Sequence, residues 1–129
     1  MSNNPDNLLP KKFDPKRKMR VFFSGLKFAI WGDFAVAYKV MLSLIVLFTS
    51  FWLREWLDFL LILIVTGIMV ITEIFNTVIE SICDYIQPEY DPKIGEIKDV
   101  AASAAGISIM MWVFVLIYEL WRLWTIFYQ

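Results

Sequence analysis

Histidine is absent from this 129-residue chain, and cysteine occurs once, at Cys83. One thiol excludes an intrachain disulfide. One thiol and no imidazole exclude a typical zinc site and every hydrolytic triad that turns on histidine. Glycine and proline are sparse, at 5 each, and no phosphate-binding loop of the P-loop or G-x-G-x-x-G kind is present. A nucleotide, if bound, is held some other way. No alternating strand pattern and no internal repeat appear. No secretory signal peptide is expected, because some forty residues precede the first apolar run and no small-residue cleavage site follows it. Net charge is only −1, and no nucleic-acid partner is expected.

Apolar surface is what the chain has in excess. Hydrophobic residues make up 59% of it, against about 45–50% in a soluble domain, and mean hydropathy is +0.60. The chain therefore reads as a small integral membrane protein. Its charges are unevenly placed: 8 of the 12 basic residues precede position 40.

Residues 1–15 are polar, carry Pro5, Pro10 and Pro15, and read as a tail. Residues 16–129 read as one membrane-embedded unit. Lys16, Arg17, Lys18 and Arg20 lead into Val21–Phe34, where Phe22, Phe23 and Leu26 mix with Lys27 and Asp33. That stretch is too charged to span and predicts an amphipathic surface helix over about 17–35. Three uncharged runs follow: Val40–Leu53 and Phe59–Thr72, of 14 residues each, and Val100–Tyr118, of 19. A span needs about 20 mainly apolar residues. The first run extends back through Phe34–Tyr38 with Lys39 snorkelling, and the second extends forward past Glu73. The expected spans are about 36–53, 57–83 and 99–121, in an all-α fold. Trp52 and Trp56 mark one interface, and so do Trp112, Trp121 and Trp124. Asp84–Asp99, with Pro88, Pro92 and Gly95, is expected to be a loop. The basic N-terminal segment predicts a cytoplasmic N-terminus. Glu119 and Arg122, three apart, are expected to form an interfacial ion pair.

The second span carries the chemistry. Asn76, Thr77, Glu80 and Asp84 follow Glu73 at offsets of 3, 4, 7 and 11, which places all five on one narrow helical face. Ile74, Phe75, Val78, Ile79 and Ile82 between them are apolar. A carboxylate at membrane depth costs a few kcal/mol and marks a candidate functional site. Solvation of an emerging helix end accounts for Asp84 equally well, but less well for Glu73, Asn76 and Glu80 together. Carboxylates one or two turns apart suit Mg²⁺. A further carboxylate can take a proton from a hydroxyl nucleophile, and Lys98, beside Asp99, can neutralise phosphate charge. Acids, Mg²⁺ and lysine at an interface fit phosphoryl transfer.

The segment Glu73-Ile-Phe-Asn-Thr-Val-Ile-Glu80-Ser-Ile-Cys-Asp84, then Pro88-Glu89-Tyr90-Asp91-Pro92, then Ile97-Lys98-Asp99-Val-Ala-Ala-Ser-Ala-Ala105, resembles the signature of the bacterial diacylglycerol kinase family, which includes the undecaprenol kinases. The resemblance runs over about residues 17–128. It implies a homotrimer in the bacterial inner membrane that transfers the γ-phosphate of ATP, with Mg²⁺, to a lipid hydroxyl at the cytoplasmic interface. It makes Glu73 the catalytic base, and Glu80 and Asp33 metal ligands. It puts Asn76 and Lys98 on the triphosphate, and Asp84, Glu89, Tyr90, Asp91 and Asp99 in the nucleotide pocket. Three positions depart from the family pattern. Asp33 stands where glutamate is usual, Ala37 where arginine is usual, and Asp91 where some members have histidine.

Two acceptors stay open, diacylglycerol and undecaprenol. Two other classes stay open as well: a catalytically inactive family member, and a non-catalytic membrane scaffold or small transport subunit using the acidic stripe. The small-residue run Ala101–Gly106 reads as a helix-packing face, and Cys83 as a packing residue.

Overall fold

The computed structural model describes residues 14–128; residues 1–13 of the expected polar tail lie outside the described residues. Four helices make up the described residues: α1 (Pro15–Gly32), α2 (Phe34–Trp52), α3 (Trp56–Ile86) and α4 (Pro92–Phe127).

The local sequence explains each start. Asp14 caps α1 by accepting from the backbone N–H groups of Lys16 and Arg17, ahead of Pro15 at the first helical position. Asp33 breaks α1 from α2 with an extended backbone and accepts the Ala35 N–H at 2.8 Å. Asp91 caps α4 by accepting from Lys93 and Ile94, ahead of Pro92. This cap corrects the expected loop over Asp84–Asp99. Helix α3 continues to Ile86 and α4 begins at Pro92, because an aspartate followed by proline starts a helix rather than a loop.

The turn between α2 and α3 closes by a specific pattern. The Arg54 N–H bonds the Phe51 carbonyl at 3.2 Å, and the Glu55 N–H bonds the Ser50 carbonyl at 2.9 Å. Arg54 adopts φ +60° to allow it, the left-handed cap position usually given to glycine.

Helices α2, α3 and α4 are each long and apolar enough to cross a membrane. At 31 residues, α3 is about 46 Å long, against a hydrocarbon core of about 30 Å. It therefore extends well past one face. Helix α3 packs against α4 most extensively, and against α2. The core joins Val46, Ile62, Val65, Met69, Trp112, Leu116 and Leu123.

Polar groups share that interior. Lys39, Ser43, Ser50, Asp58, Glu73, Ser108 and Glu119 are buried, while Phe34, Phe48, Phe75, Phe114 and Trp121 are more than half exposed. An apolar exterior around polar helix contacts is the arrangement that lipid favours. Hydrogen bonds rivet the helices together. The Trp112 indole donates to Ser43 at 2.7 Å, and the Thr72 and Ser108 hydroxyls meet at 2.5 Å. Arg122 donates to Asp58, and to Glu55 at 2.9 Å.

The last contact corrects the expected pairing of Arg122 with Glu119. Arg122 reaches across to α3 and its preceding turn. Glu119 is fully buried instead, and neither of its oxygens has a donor. Partners across a helix interface displaced the neighbour three residues away.

Candidate active site

The acidic stripe on α3 begins in the interior and ends in the open. Glu73 is buried, Asn76 and Glu80 are half-buried, and Asp84 is exposed. At the buried end, Lys39 on α2 donates to Glu73 Oε1 at 2.6 Å. The lysine expected to snorkel is instead 5% exposed. An acid in the neighbouring helix gives its ammonium a closer partner than the membrane surface.

One turn on, Asn76 Nδ2 donates to Glu80 Oε1 at 3.0 Å. This leaves Glu80 Oε2 free. It also leaves Asn76 Oδ1 buried with no donor. The open carboxylate oxygen of Glu80 suits Mg²⁺, which needs only one or two protein ligands when phosphates supply the rest.

At the exposed end, Lys98 Nζ donates to Asp84 Oδ1 at 2.8 Å, joining α4 to α3. This pair floors an open cleft of about 440 Å³. Asp84, Glu89, Tyr90, Asp91, Lys98 and Asp99 all line it, with Gln87, Pro88, Ile94 and Gly95. The structure thus brings together six residues that the sequence singled out. Tyr90 projects freely, at 90% exposed.

The Asp33 carboxylate caps α2. Three metal-ligating side chains of the His, Cys, Asp and Glu types do not converge anywhere among the described residues. Ala37 lies on an apolar groove of about 530 Å³ with Trp31, Phe34, Tyr38, Met41, Leu42 and Ile45. Cys83 is buried with a free thiol.

The sequence presented Lys39 only as a charge that snorkels. Its signal was present all the same: a lysine and a glutamate, each inside a membrane-length helix, each need a partner.

Residues 20–120 match the model of the prokaryotic diacylglycerol kinase family. The chain belongs to that family. It is also similar to proteins named diacylglycerol kinase from two strains of Helicobacter pylori, at 29% and 27% identity over 110 residues. In each case the match covers 82% of this chain and 86% of the relative. The matched residues 20–120 include the acidic stripe of α3, the cleft and Lys39.

Proposed function

We propose that the protein is an ATP- and Mg²⁺-dependent lipid kinase that phosphorylates a membrane lipid hydroxyl, with diacylglycerol and undecaprenol as the candidate acceptors. The observation that carries this reading is the continuity of the site. One helical face runs from a buried carboxylate at Glu73, past the hydrogen-bonded Asn76 and Glu80, to the open cleft at Asp84 and Lys98. A lipid hydroxyl arrives from the apolar side and a nucleotide from water. This stripe reaches both.

In the mechanism, Glu73 accepts the proton of the lipid hydroxyl on its free oxygen as that hydroxyl attacks the γ-phosphorus. The bond from the γ-phosphorus to the bridging oxygen breaks, and ADP departs with that electron pair. Lys98 exchanges its Asp84 partner for triphosphate oxygens, and Asn76 contacts them. Glu80 would hold Mg²⁺, which would supply charge neutralisation on the transferring phosphoryl group. Asp33 is assigned as a further metal ligand by family resemblance. Glu89, Tyr90, Asp91 and Asp99 shape the nucleotide pocket. The groove at Ala37 and Tyr38 offers apolar surface to an acyl or prenyl chain.

In this reading residues 16–129 form one membrane-embedded kinase domain. Helix α1 lies amphipathically on the cytoplasmic surface of the bacterial inner membrane, where its basic residues follow the positive-inside rule. The chain assembles as a homotrimer, with α4 packing through Ala101–Gly106. The rival reading is a catalytically inactive member, favoured by Ala37 and by the engagement of Asp33 in a helix cap.

The test is Mg²⁺-dependent, lipid-dependent ATP turnover by the purified protein in micelles. Turnover should fall at least about 100-fold in Glu73→Gln, and Glu80→Gln should raise the Mg²⁺ concentration needed for half-maximal rate. A folded protein with no turnover on either lipid favours the inactive reading.

A further inference from the structure

The Lys39–Glu73 pair joins α2 to α3 at the buried end of the stripe, 2.6 Å between Nζ and Oε1, with side chains only 6% and 11% exposed. Such a short charge-assisted bond is strong and directional. Neither charge has another ion-pair or side-chain hydrogen-bond partner among the described residues. The two oxygens of Glu73 are consequently unlike. Oε1 is occupied by the ammonium. Oε2 takes no hydrogen bond, yet is not sealed from solvent, because it is not among the buried atoms that lack a partner.

The lysine end of the pair is fixed from behind. The Lys39 carbonyl accepts the Ser43 hydroxyl at 2.9 Å. That same hydroxyl oxygen accepts the Trp112 indole N–H at 2.7 Å. The turn of α2 that carries Lys39 is therefore tied to α4. The Glu73 carbonyl accepts the Thr77 hydroxyl at 3.0 Å. Rotation of α2 against α4 enough to move Lys39 breaks the buried Trp112–Ser43 hydrogen bond, whereas the Thr77 bond lies within α3 and moves with it.

We infer that Lys39 is a positioning residue for phosphoryl transfer: it holds the Glu73 carboxylate by one oxygen and so aims the other at the lipid hydroxyl. The inference rests on the proposed role of Glu73 as base. It goes beyond that role in assigning a function to a lysine that no family motif quoted above includes. Lys39 touches neither the nucleotide nor the reacting oxygen. It acts through Glu73, so its loss lowers turnover without weakening nucleotide binding.

The experiment uses the full chain in lipid–detergent micelles and compares Lys39→Met, Lys39→Arg, Glu73→Gln and the double variant Lys39→Met with Glu73→Gln. Melting temperature and the kcat and KM for ATP are measured for each. The expected result for Lys39→Met is a kcat lower by about 10–100-fold, with KM for ATP within about twofold. Lys39→Arg, which can donate to the same oxygen, recovers most of the rate. The double variant melts higher than Lys39→Met alone, because the second change removes the stranded carboxylate.

A folded Lys39→Met with wild-type kcat overturns the proposal. So does a loss shared equally by KM for ATP, and so does a lower melting temperature with unchanged kcat, the mark of a purely structural pair. If Lys39→Met does not fold, Lys39→Gln takes its place, keeping a donor without the charge, and the same pattern is required of it. Failure of the underlying reading looks different. Full transfer by Glu73→Gln refutes Glu73 as base, whereas strictly additive melting effects in the double variant refute the pair itself.

Discussion

Arg122 offers the sharpest test of the interior. Asp58 is fully buried, with 0% of its side chain exposed. Arg122 supplies the donor to its Oδ1, and its Oδ2 already has none. Replacing Arg122 with leucine strands an anion between α3 and α4. Removing one partner of a buried ion pair costs about 3–5 kcal/mol. The guanidinium is 32% exposed, so water screens part of the attraction, and the lower figure of about 3 kcal/mol is expected. The second bond, to Glu55, joins two groups each about one-third exposed, and Glu55→Gln should cost less than about 1 kcal/mol.

The stranded charge can be removed in turn. Asp58→Asn in the Arg122→Leu background should recover about 2 kcal/mol, since a neutral amide is far cheaper to bury than a carboxylate. Asp58→Asn by itself should cost about 1 kcal/mol. Equilibrium unfolding in mixed micelles, followed by helical circular dichroism, measures all four proteins of the cycle. If Arg122→Leu is as stable as the parent, or if the double variant shows the plain sum of the single losses, the buried-charge reasoning is wrong.

Other consequences follow from the same contacts. Trp112→Phe removes the indole donor to Ser43 and part of a buried ring from the core, and should cost about 2–4 kcal/mol in the same unfolding assay. Arg54→Gly should raise stability by about 1 kcal/mol, because it relieves a left-handed residue at φ +60°. Lys98→Ala should raise KM for ATP more than it lowers kcat, since Lys98 lies in the open cleft rather than beside Glu73; steady-state kinetics at varied ATP checks this.

The helices and the stripe were readable from residue spacing, but their partners were not. Three apolar runs announced three long helices, and the offsets of Asn76, Glu80 and Asp84 from Glu73 described one face whatever surrounds it. Those are local properties, fixed by 3.6 residues per turn. The Lys39–Glu73 pair links positions 34 apart in sequence, and Arg122–Asp58 links positions 64 apart. Both depend on how neighbouring helices are rotated, which no single helix encodes. Lys39 was therefore assigned to the surface and Arg122 to its neighbour Glu119.

The connection after α3 shows a different failure. Pro92 and Gly95 suggested a loop, yet Asp91 and Pro92 together form a helix start, so weighing composition above capping lengthened the loop. The cleft that unites Asp84, Glu89, Tyr90, Asp91, Lys98 and Asp99 exists because α4 begins early enough to set Lys98 opposite Asp84.

Phosphate transfer from labelled ATP to lipid is the measurement that tests the central claim most directly. The purified protein, in micelles with Mg²⁺, is offered diacylglycerol and undecaprenol side by side, with Glu73→Gln and Glu80→Gln as controls. The account predicts label in one of the two lipids and its loss in both variants. A well-folded protein that labels neither lipid, or a Glu73→Gln variant that labels as fast as the parent, would contradict it.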